Sequence, residues 1–321
     1  MEYQMSVVHR PTHRDLSWLP EGPWSRIEDG RPAIYWVAIQ HGKGARTGSL
    51  NTFWPGTDRT RSYPLEGRPG FTRPTTSKDT IVIGLENRLG LYNLRTRSFT
   101  SLGDTPAHED GRVIINDGTC GEDFILFGTK DCQFEYGLGA LYLYHHGKLS
   151  HIHVGETCAN GNVLVRRPDG ALTLYHIDTK QKHVAKGVLD FGARRWLVDD
   201  VAVDFGPKDS FPDGMYGPIP GPDGPSALIA MFNPFTNDPG EVRQYGLHTG
   251  RVEAVWHTPK APQVTCPTLY ERDGTVYLLA TTAAENMTDE RLEECPDSGA
   301  LFECPTDFKP SDLPPLHQFK I

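Results

Sequence analysis

Short apolar runs of about four to eight residues, separated by polar turns, follow one another along almost the whole chain. Examples are Ala33–Ala38 (AIYWVA), Thr80–Leu85 (TIVIGL) and Thr275–Thr281 (TVYLLAT). The turns between them contain Asp-Gly, Pro-Asp-Gly, Asn-Asp-Gly and Lys-Asp, which favour reversal of the chain. No segment shows sustained helical periodicity, so the pattern predicts an all-β protein.

Further strands are predicted from the same alternation of runs and turns. They are Leu89–Leu94, Phe124–Gly128, Ala140–His145, Asn162–Arg166, Ala171–His176, Val198–Phe205, Ala227–Phe232, Val242–Leu247 and Ala300–Cys304. The exception is Gly217–Pro225 (GPIPGPDGP), which we expect to be a rigid surface loop because proline cannot donate to a strand ladder.

Four polar turns stand at nearly even intervals, and their spacing indicates the architecture. They are Glu21-Gly22-Pro23, Asn116-Asp117-Gly118, Asn160-Gly161 and Pro212-Asp213-Gly214. Successive intervals of 95, 44 and 53 residues correspond to two, one and one units of about 45 to 50 residues, the repeat length of propeller blades. Residues from about 20 to about 305 then fit six blades.

A six-bladed β-propeller implies one domain for the whole chain, 1–321, with an N-terminal extension over 1–15 and the ring over about 16–310. In a propeller the equivalent loops of all blades open at the same end of a central channel. Glu, Asn and Asp oxygens gathered there would suit a single central divalent metal ion.

Composition indicates the cellular location and argues against some classes of partner. Hydrophobic residues make up 37% of the chain, and Gly 33 and Pro 26 supply the turns of a many-stranded fold. No apolar run approaches the roughly 20 residues that span a bilayer, and the start lacks the apolar stretch of a secretory signal. We therefore expect a cytoplasmic protein. The net charge of −9 argues against nucleic acid as a partner.

The cysteines and histidines form no recognisable motif. The six cysteines include no CxxC pair, so buried reduced thiols are expected, with a Cys295–Cys304 bridge as the alternative. His145 and His146 are adjacent, and on a strand they would face opposite sides. We therefore interpret them as strand-surface residues rather than metal ligands.

The polar segments and the strands beside them resemble the gluconolactonase family, also called the senescence-marker-protein or luciferin-regenerating family. The resemblance covers nearly the whole chain and rests on five segments in the family's order and spacing. They are LPEGPWSR with IYWVAI, INDGTCGEDFILFGTKD, CANGNVLVRRPDGALTLYHIDT, SFPDGM, and VTCPTL with VYLLATTA.

This resemblance implies a six-bladed propeller with one divalent metal ion held by a Glu, an Asn and an Asp. Matched by motif, the ligands are Glu21, Asn160 and Asp213, and Asn116 is the Asn beside the metal that helps to hold substrate or water. The family's usual reaction is hydrolysis of sugar lactones, with calcium, zinc, manganese or magnesium accepted by different members.

The chemistry of these side chains is consistent with that role. Two carboxylates and one amide oxygen neutralise a divalent ion and leave coordination positions open, as Lewis-acid catalysis requires. Oxygen ligands without His or Cys favour calcium, with magnesium, manganese and zinc as alternatives. Asp213 is the candidate general base, although a carboxylate that binds the ion cannot fully serve as a base at the same time.

The chain departs from the family at the substrate positions. Where the family commonly has Arg two residues before the Asn of Asn-Asp-Gly, this chain has Ile114, and Arg112 lies two residues earlier. On an extended strand Arg112, Ile114 and Asn116 share one face. Either Arg112 replaces the family's Arg, or Ile114 indicates a less polar substrate.

A second departure follows the Gly-Thr segment, where the family's acidic contact is missing. The stretch 128–133 reads GTKDCQ. Gln133 is the substrate-contact candidate in it, and Lys130 would bring a cation towards the mouth.

Three functions stay open from the sequence. The first is a metal-dependent lactonase acting on a small lactone, and the second is a hydrolase of another ester or of a phosphotriester at the same site. The third is a non-catalytic metal-binding propeller, since fold alone does not establish catalysis. No Gly-x-Ser-x-Gly elbow, P-loop or dinucleotide fingerprint is present. The oligomeric state is not indicated.

Overall fold

The structure is a computed structural model that describes all 321 residues, Met1–Ile321. It contains 25 β-strands and one short α-helix, α1 (Asp289–Glu294). The strands form six sheets of four or five strands, which are the blades of a six-bladed β-propeller. The predicted fold class is confirmed.

In chain order the strands are β1 (Glu2–Gln4), β2 (Ser6–His9), β3 (Pro20–Glu28), β4 (Arg31–Ala38), β5 (Gly48–Phe53), β6 (Thr60–Leu65), β7 (Pro69–Pro74), β8 (Thr80–Leu85), β9 (Arg88–Asn93), β10 (Phe99–Asp104), β11 (Val113–Cys120), β12 (Phe124–Asp131), β13 (Gly139–His145), β14 (Lys148–Glu156), β15 (Ala159–Arg166), β16 (Leu172–Asp178), β17 (His183–Asp190), β18 (Arg195–Asp204), β19 (Phe211–Gly221), β20 (Gly224–Phe232), β21 (Gly240–Gly246), β22 (Val252–Thr258), β23 (Val264–Arg272), β24 (Thr275–Thr282) and β25 (Leu301–Pro305). Short 3-10 helices cover Arg14–Ser17, Glu109–Gly111, Thr179–Gln181 and Pro310–Asp312.

One compact unit comprises Met1–Arg68 and Val203–Pro314 and contains three sheets. Their strand orders are β3-β4-β5-β6, β1-β22-β21-β20-β19 and β2-β25-β24-β23. β1 pairs parallel to β22, and β2 pairs antiparallel to β25. Residues before position 16 therefore add strands to two sheets, and the proposed ring limits of 16–310 stay a prediction.

The other compact unit comprises Pro69–Ala202 and Pro315–Ile321. Its sheets have the orders β10-β9-β8-β7, β11-β12-β13-β14 and β15-β16-β17-β18. The C-terminal segment is anchored by the buried Phe319, whose backbone pairs with the end of β7 through the 3.0 Å bond from Phe319 N to Pro74 O.

Leaving aside β1 and β2, each sheet consists of three or four consecutive strands, and the first strands of the six sheets are β3, β7, β11, β15, β19 and β23. These first strands begin 44 to 53 residues apart. The four polar segments lie on β3, β11, β15 and β19, the first strands of the first, third, fourth and fifth sheets. The predicted steps of two, one and one blades are therefore confirmed.

Every one of these first strands carries an irregularity in its pairing near its start. The shifts lie between Glu21 and Trp24, Pro69 and Phe71, Ile115 and Gly118, Asn160 and Asn162, Pro212 and Met215, and Val264 and Cys266. The interpretation of the four polar segments as turns is wrong, because their glycines and prolines interrupt the register without reversing the chain. Such bulges redirect side chains, and each of the four polar residues lies within or directly beside the bulge of its strand.

The expectation of a surface loop over 217–225 is also wrong. β19 continues to Gly221 and pairs with β20, with Pro220 opposite Pro225. Proline is tolerated there because β19 is the edge strand of its sheet, and a register shift between Tyr216 and Ile219 accommodates the interruption.

Alternating side chains of the strands fill the space between blades. One cluster, in the first unit, includes Leu228, Trp256, Leu278 and Phe302, and another, in the other unit, includes Phe71 and Phe127. Trp24, Trp36, Trp196 and Trp256 are buried, as expected for packing residues.

None of the six cysteines forms a disulfide, so the alternative Cys295–Cys304 bridge is absent. Five are buried as expected, whereas Cys132 is exposed. The only α-helix has six residues, so the structure contains no helix that could cross a lipid bilayer.

Candidate functional site

Asn116 and Asn160, on the bulges of β11 and β15, contact each other directly. Asn116 Nδ2 donates to Asn160 Oδ1 at 3.1 Å and to the carbonyl oxygen of Ala159 at 2.9 Å. Asn160 Nδ2 donates to Thr179 Oγ1 at 2.8 Å. Both asparagines are at least 95% buried, at 5% and 3% exposure. The structure therefore brings these two predicted site residues together, with the amide nitrogen of each committed to the protein.

The end of β16 holds the start of β15 in place. Thr157 N and Cys158 N donate to the Asp178 carboxylate at 3.2 and 2.9 Å, and Thr179 N donates to Cys158 O at 3.0 Å. The Asp178-Thr179 pair thus supports the backbone and the side chain of Asn160. The sequence indicates a strand-ending turn at this pair, with support of a metal ligand as the alternative.

Asp117, the neighbour of Asn116, is a buried carboxylate that sequence reasoning did not single out. Gly118 N donates to its Oδ1 at 2.6 Å, and Arg73 Nη2 lies 4.0 Å from the same oxygen. Burial raises the pKa of Asp117 above its usual range, while Arg73 opposes the shift. Its position beside Asn116 in the Asn-Asp-Gly segment is the one signal that could have identified it.

Glu21 and Asp213 lie in the other unit, on the bulges of β3 and β19, and each is 8% exposed. Gly22 N donates to Glu21 Oε2 at 2.9 Å. β23 contacts both strands. Thr265 Oγ1 donates to Pro20 O at 2.6 Å, and a Cβ at Gly214 would lie 2.8 Å from Thr265 O.

The close contact at Gly214 explains why Asp213 is followed by glycine. An added Cβ would also lie 2.5 Å from Cys266 Sγ, a distance that side chains do not adopt. The backbone next to Asp213 can therefore approach β23 only without a side chain.

Arg112 does not lie on a strand, so the expectation that it shares a strand face with Asn116 is wrong. Its backbone is helical, with φ −65° and ψ −37° at the end of a 3-10 helix. Arg112 Nε and Nη2 donate to the two oxygens of Asp131, each at 2.8 Å, and Nη2 also lies 3.2 Å from Glu135 Oε2. A substrate role for Arg112 stays a prediction.

Asp131 is the partner that sequence reasoning missed. Its carboxylate accepts from Arg112 and from the backbone N–H groups of Gln133, Glu135 and Tyr136 at 2.9 to 3.2 Å. The Arg112 guanidinium, aided by these donors, holds the pKa of Asp131 well below its usual range. The carboxylate therefore orders the loop that carries Gln133.

The other two substrate candidates differ in exposure. Ile114 is 1% exposed and pairs with Lys130 on β12. Gln133 is exposed in the loop after β12. Their substrate roles stay predictions.

A second buried polar cluster lies in the sheet that carries Asn160. His176 Nε2 is 3.1 Å from Glu156 Oε2, and His176 Nδ1 is 3.1 Å from Asn162 Oδ1. Burial raises the pKa of Glu156, but the charge and hydrogen bond of His176 more than offset it, so the net shift is downward. Both ring nitrogens of His176 are used within the protein, which indicates a structural role.

The chain matches the family model described as SMP-30/Gluconolactonase/LRE-like region over residues 19–283. It is 27% identical to L-arabinolactonase of Azospirillum brasilense over 87% of this chain and 86% of that protein. It is also 27% identical to the putative sugar lactone lactonase YvrE of Bacillus subtilis (strain 168), over 88% of this chain and 89% of that protein.

Among solved structures, the chain is similar to regucalcin, a calcium-binding protein from Agrobacterium tumefaciens. The TM-score is 0.79 at 20% identity, covering 100% of this chain and 99% of that one. This likeness supports the propeller fold.

Proposed function

This chain belongs to the SMP-30/gluconolactonase/LRE-like family, and we propose that it is a metal-dependent lactonase that opens a sugar-derived or similar small lactone to the hydroxy acid. The observation that carries the proposal is the placement of Glu21, Asn116, Asn160 and Asp213 at the bulges of four of the first strands. The two relatives named as lactonases, each matched over more than four fifths of its length, support the same reaction class.

We propose Glu21, Asn160 and Asp213 as the ligands of one divalent ion. The residues fit the group. Glu21 and Asp213 supply two negative charges and Asn160 a neutral oxygen, and all three are buried. The bond from Asn160 Nδ2 to Thr179 fixes the orientation of that amide. Its Oδ1 accepts one hydrogen bond from Asn116 Nδ2 and keeps a second lone pair for the ion. An all-oxygen set favours calcium, with magnesium, manganese or zinc as alternatives, and the structurally similar regucalcin is described as calcium-binding.

When bound, the ion would supply Lewis-acid polarisation of the lactone carbonyl. Asp213 would accept a proton from the attacking water as that water adds to the carbonyl carbon. The endocyclic C–O bond would then break, and the ring oxygen would take the proton held by Asp213 and become the hydroxyl of the product. A second oxygen on Asp213 serves this transfer, since a lone pair that binds the ion cannot also accept a proton.

Asn116 would orient the substrate. Its Nδ2 donates to Ala159 O and Asn160 Oδ1, so Oδ1 is the atom left to accept from a substrate hydroxyl. Sugar lactones carry such hydroxyls. We propose no nucleic-acid or membrane partner and a cytoplasmic location, on composition alone.

A second candidate function is favoured by one observation, the apolar and buried Ile114 at the family's Arg position. An apolar wall would suit a less polar ester or a phosphotriester. Arg112 is engaged by Asp131, which weakens the case that it replaces the missing Arg.

The test is a substrate panel on metal-stripped protein. Pentonolactones, hexonolactones, aryl esters and a phosphotriester are assayed by proton release before and after adding calcium, magnesium, manganese or zinc. We expect lactone opening that is lost on chelation and restored by a divalent ion. Full activity in the chelated protein would contradict the metal dependence.

The same panel separates the alternatives. Turnover of aryl esters or phosphotriesters without turnover of lactones would establish the second function. A melting temperature that rises with metal, with no turnover of any substrate, would establish a non-catalytic metal-binding propeller.

A further inference from the structure

Three potential metal ligands meet at one end of the sheet formed by β11 to β14. Asp123 lies in the connection between β11 and β12, His145 ends β13, and His146 lies in the turn to β14. One ligand atom from each residue lies within 4.8 Å of the other two. All three belong to the unit that contains residues 69–202.

The turn between β13 and β14 explains why the two imidazoles adjoin. His146 has φ +50° and Gly147 has φ +70°, the conformation of a type I′ hairpin turn. His146 is therefore not an extended strand residue, and the two rings lie with centroids 3.8 Å apart. The expectation that His145 and His146 face opposite sides of a strand is wrong for this reason.

Contacts from the neighbouring sheet hold this arrangement. Arg194 donates to His145 O at 3.0 Å and to Lys148 O at 3.1 Å, which fixes both sides of the turn. The ring of Phe191 packs edge-on against His145 at 5.0 Å. One of the three side chains, His145, is thus already confined before any ion binds, which reduces the entropy lost on binding.

The distance between one pair of ligand atoms fits a shared ion better than a direct contact. His145 Nε2 lies 3.6 Å from Asp123 Oδ2, too far for a hydrogen bond. Two ligand atoms at zinc-binding distance in tetrahedral geometry are about 3.3 to 3.6 Å apart. His176 makes the opposite case, because both its nitrogens lie 3.1 Å from protein oxygens.

We propose that Asp123, His145 and His146 form a second metal site, separate from the lactonase site, that binds one zinc ion. The ion links the β11–β12 connection to the β13–β14 turn. Two imidazole nitrogens and one carboxylate oxygen suit zinc, whereas calcium and magnesium prefer oxygen-only sets. Water fills the remaining coordination position, since Asp123 and His146 are exposed.

The test measures zinc binding to the full chain by calorimetry in saturating calcium, which occupies the all-oxygen site. The decisive variant is His146→Asn, because Asn-Gly is the preferred type I′ turn and preserves the hairpin while removing the imidazole. Loss of a supporting partner of a ligand costs about 10- to 100-fold in metal affinity, so loss of a ligand should weaken zinc binding at least about tenfold.

Asp123→Asn is the second variant and should weaken zinc binding in the same direction. His151→Ala is the matched control, since His151 is an exposed histidine of the same sheet on β14. Wild type and His151→Ala should gain thermal stability with zinc, and His146→Asn should not.

Anomalous scattering at the zinc edge locates the ion directly in crystals soaked with zinc and calcium. A peak within bonding distance of Asp123, His145 and His146 supports the proposal. Unchanged zinc affinity in both variants, or a zinc peak only elsewhere, would overturn it, whatever the outcome for lactone turnover.

Discussion

The four polar residues at the bulges of the first strands fall into two chemical kinds. In the unit containing residues 69–202, Asn116 and Asn160 are neutral and are held by side-chain hydrogen bonds of 2.8 to 3.1 Å. In the other unit, Glu21 and Asp213 are carboxylates, and Glu21 accepts from the N–H of the adjacent Gly22.

The two kinds of residue would contribute differently to ion binding, the carboxylates through their charge and the amides through a correctly oriented oxygen. A carboxylate has two equivalent oxygens, so either can bind an ion, and its charge is what it contributes. An amide has only one oxygen, and a rotation of 180° would present the nitrogen instead. Asn160 therefore needs a partner such as Thr179 to fix which end of its amide carries the oxygen.

Removing charge should have the largest effect. Glu21→Gln and Asp213→Asn keep the shape of the side chains but each removes one of the two charges that balance the ion. Loss of one stabilising donor costs about 10²- to 10³-fold in kcat, and loss of an ion ligand should reach at least the upper end of that range. Lactone turnover and elemental analysis of the purified variants provide the measurement.

The matched control is Asp273→Asn, in a hairpin turn where φ is +53°, a conformation that Asn tolerates. It should retain both metal and turnover. Normal metal content in Glu21→Gln or Asp213→Asn would remove that residue from the ligand set.

Removing the hydrogen bond that orients the Asn160 amide should have an intermediate effect on metal binding. Thr179→Val preserves the shape of the side chain but deletes the hydroxyl that receives Asn160 Nδ2. We expect metal affinity to fall about 10- to 100-fold, with kcat at saturating metal close to wild type. Metal titrations of turnover measure both quantities.

Thr179→Ser restores a hydroxyl and should rescue the affinity. Equal metal affinity in Thr179→Val and wild type would mean that the amide of Asn160 is oriented without Thr179, and the distinction between the two kinds of residue would lose its support.

The smallest effect on turnover is expected from substitution of Arg112, because Arg112 pairs with Asp131 and not with the polar residues at the bulges. The depressed pKa of Asp131 means that its ionised form stabilises the fold above the unfolded-state pKa of about 3.9. That stabilisation is lost as the pH falls through the lower folded-state pKa. Arg112→Met should therefore lower the free energy of unfolding at neutral pH and flatten its decline in acid, as measured by denaturant titration.

Turnover in Arg112→Met should stay within about twofold of wild type. A twofold change corresponds to only about 0.4 kcal/mol, since 1.4 kcal/mol corresponds to a factor of ten. A large rise in KM with unchanged stability would instead give Arg112 the substrate role predicted from the sequence.

Local sequence patterns were sufficient for the blade repeat and for twelve of the 25 strands. Short apolar runs such as Thr80–Leu85 and Thr275–Thr281 lie on strands where they were expected, because a continuous apolar run of about four to eight residues between turn signals is typical of a strand buried on both faces. Asn116 and Asn160, 44 residues apart, could be matched because each blade repeats the same short segment.

Other features depended on partners remote in sequence. Nothing local predicts that Arg112 pairs with Asp131 or that His176 meets Glu156. The Pro-rich segment 217–221 is a strand because it pairs with β20 at the edge of its sheet. The contact between His145 and His146 is local instead, since it follows from the left-handed backbone of His146 and Gly147 in the hairpin turn.

Period, turn propensity and motif order are local properties of the chain, so they established the all-β class, the number of blades and the polar residues of interest without coordinates. The hydrogen bonds that orient Asn160 and engage Arg112 arise only when separate strands pack, and the burial of Asp117 has the same origin. Contacts between distant residues depend on the register of whole sheets, which no short stretch of sequence contains.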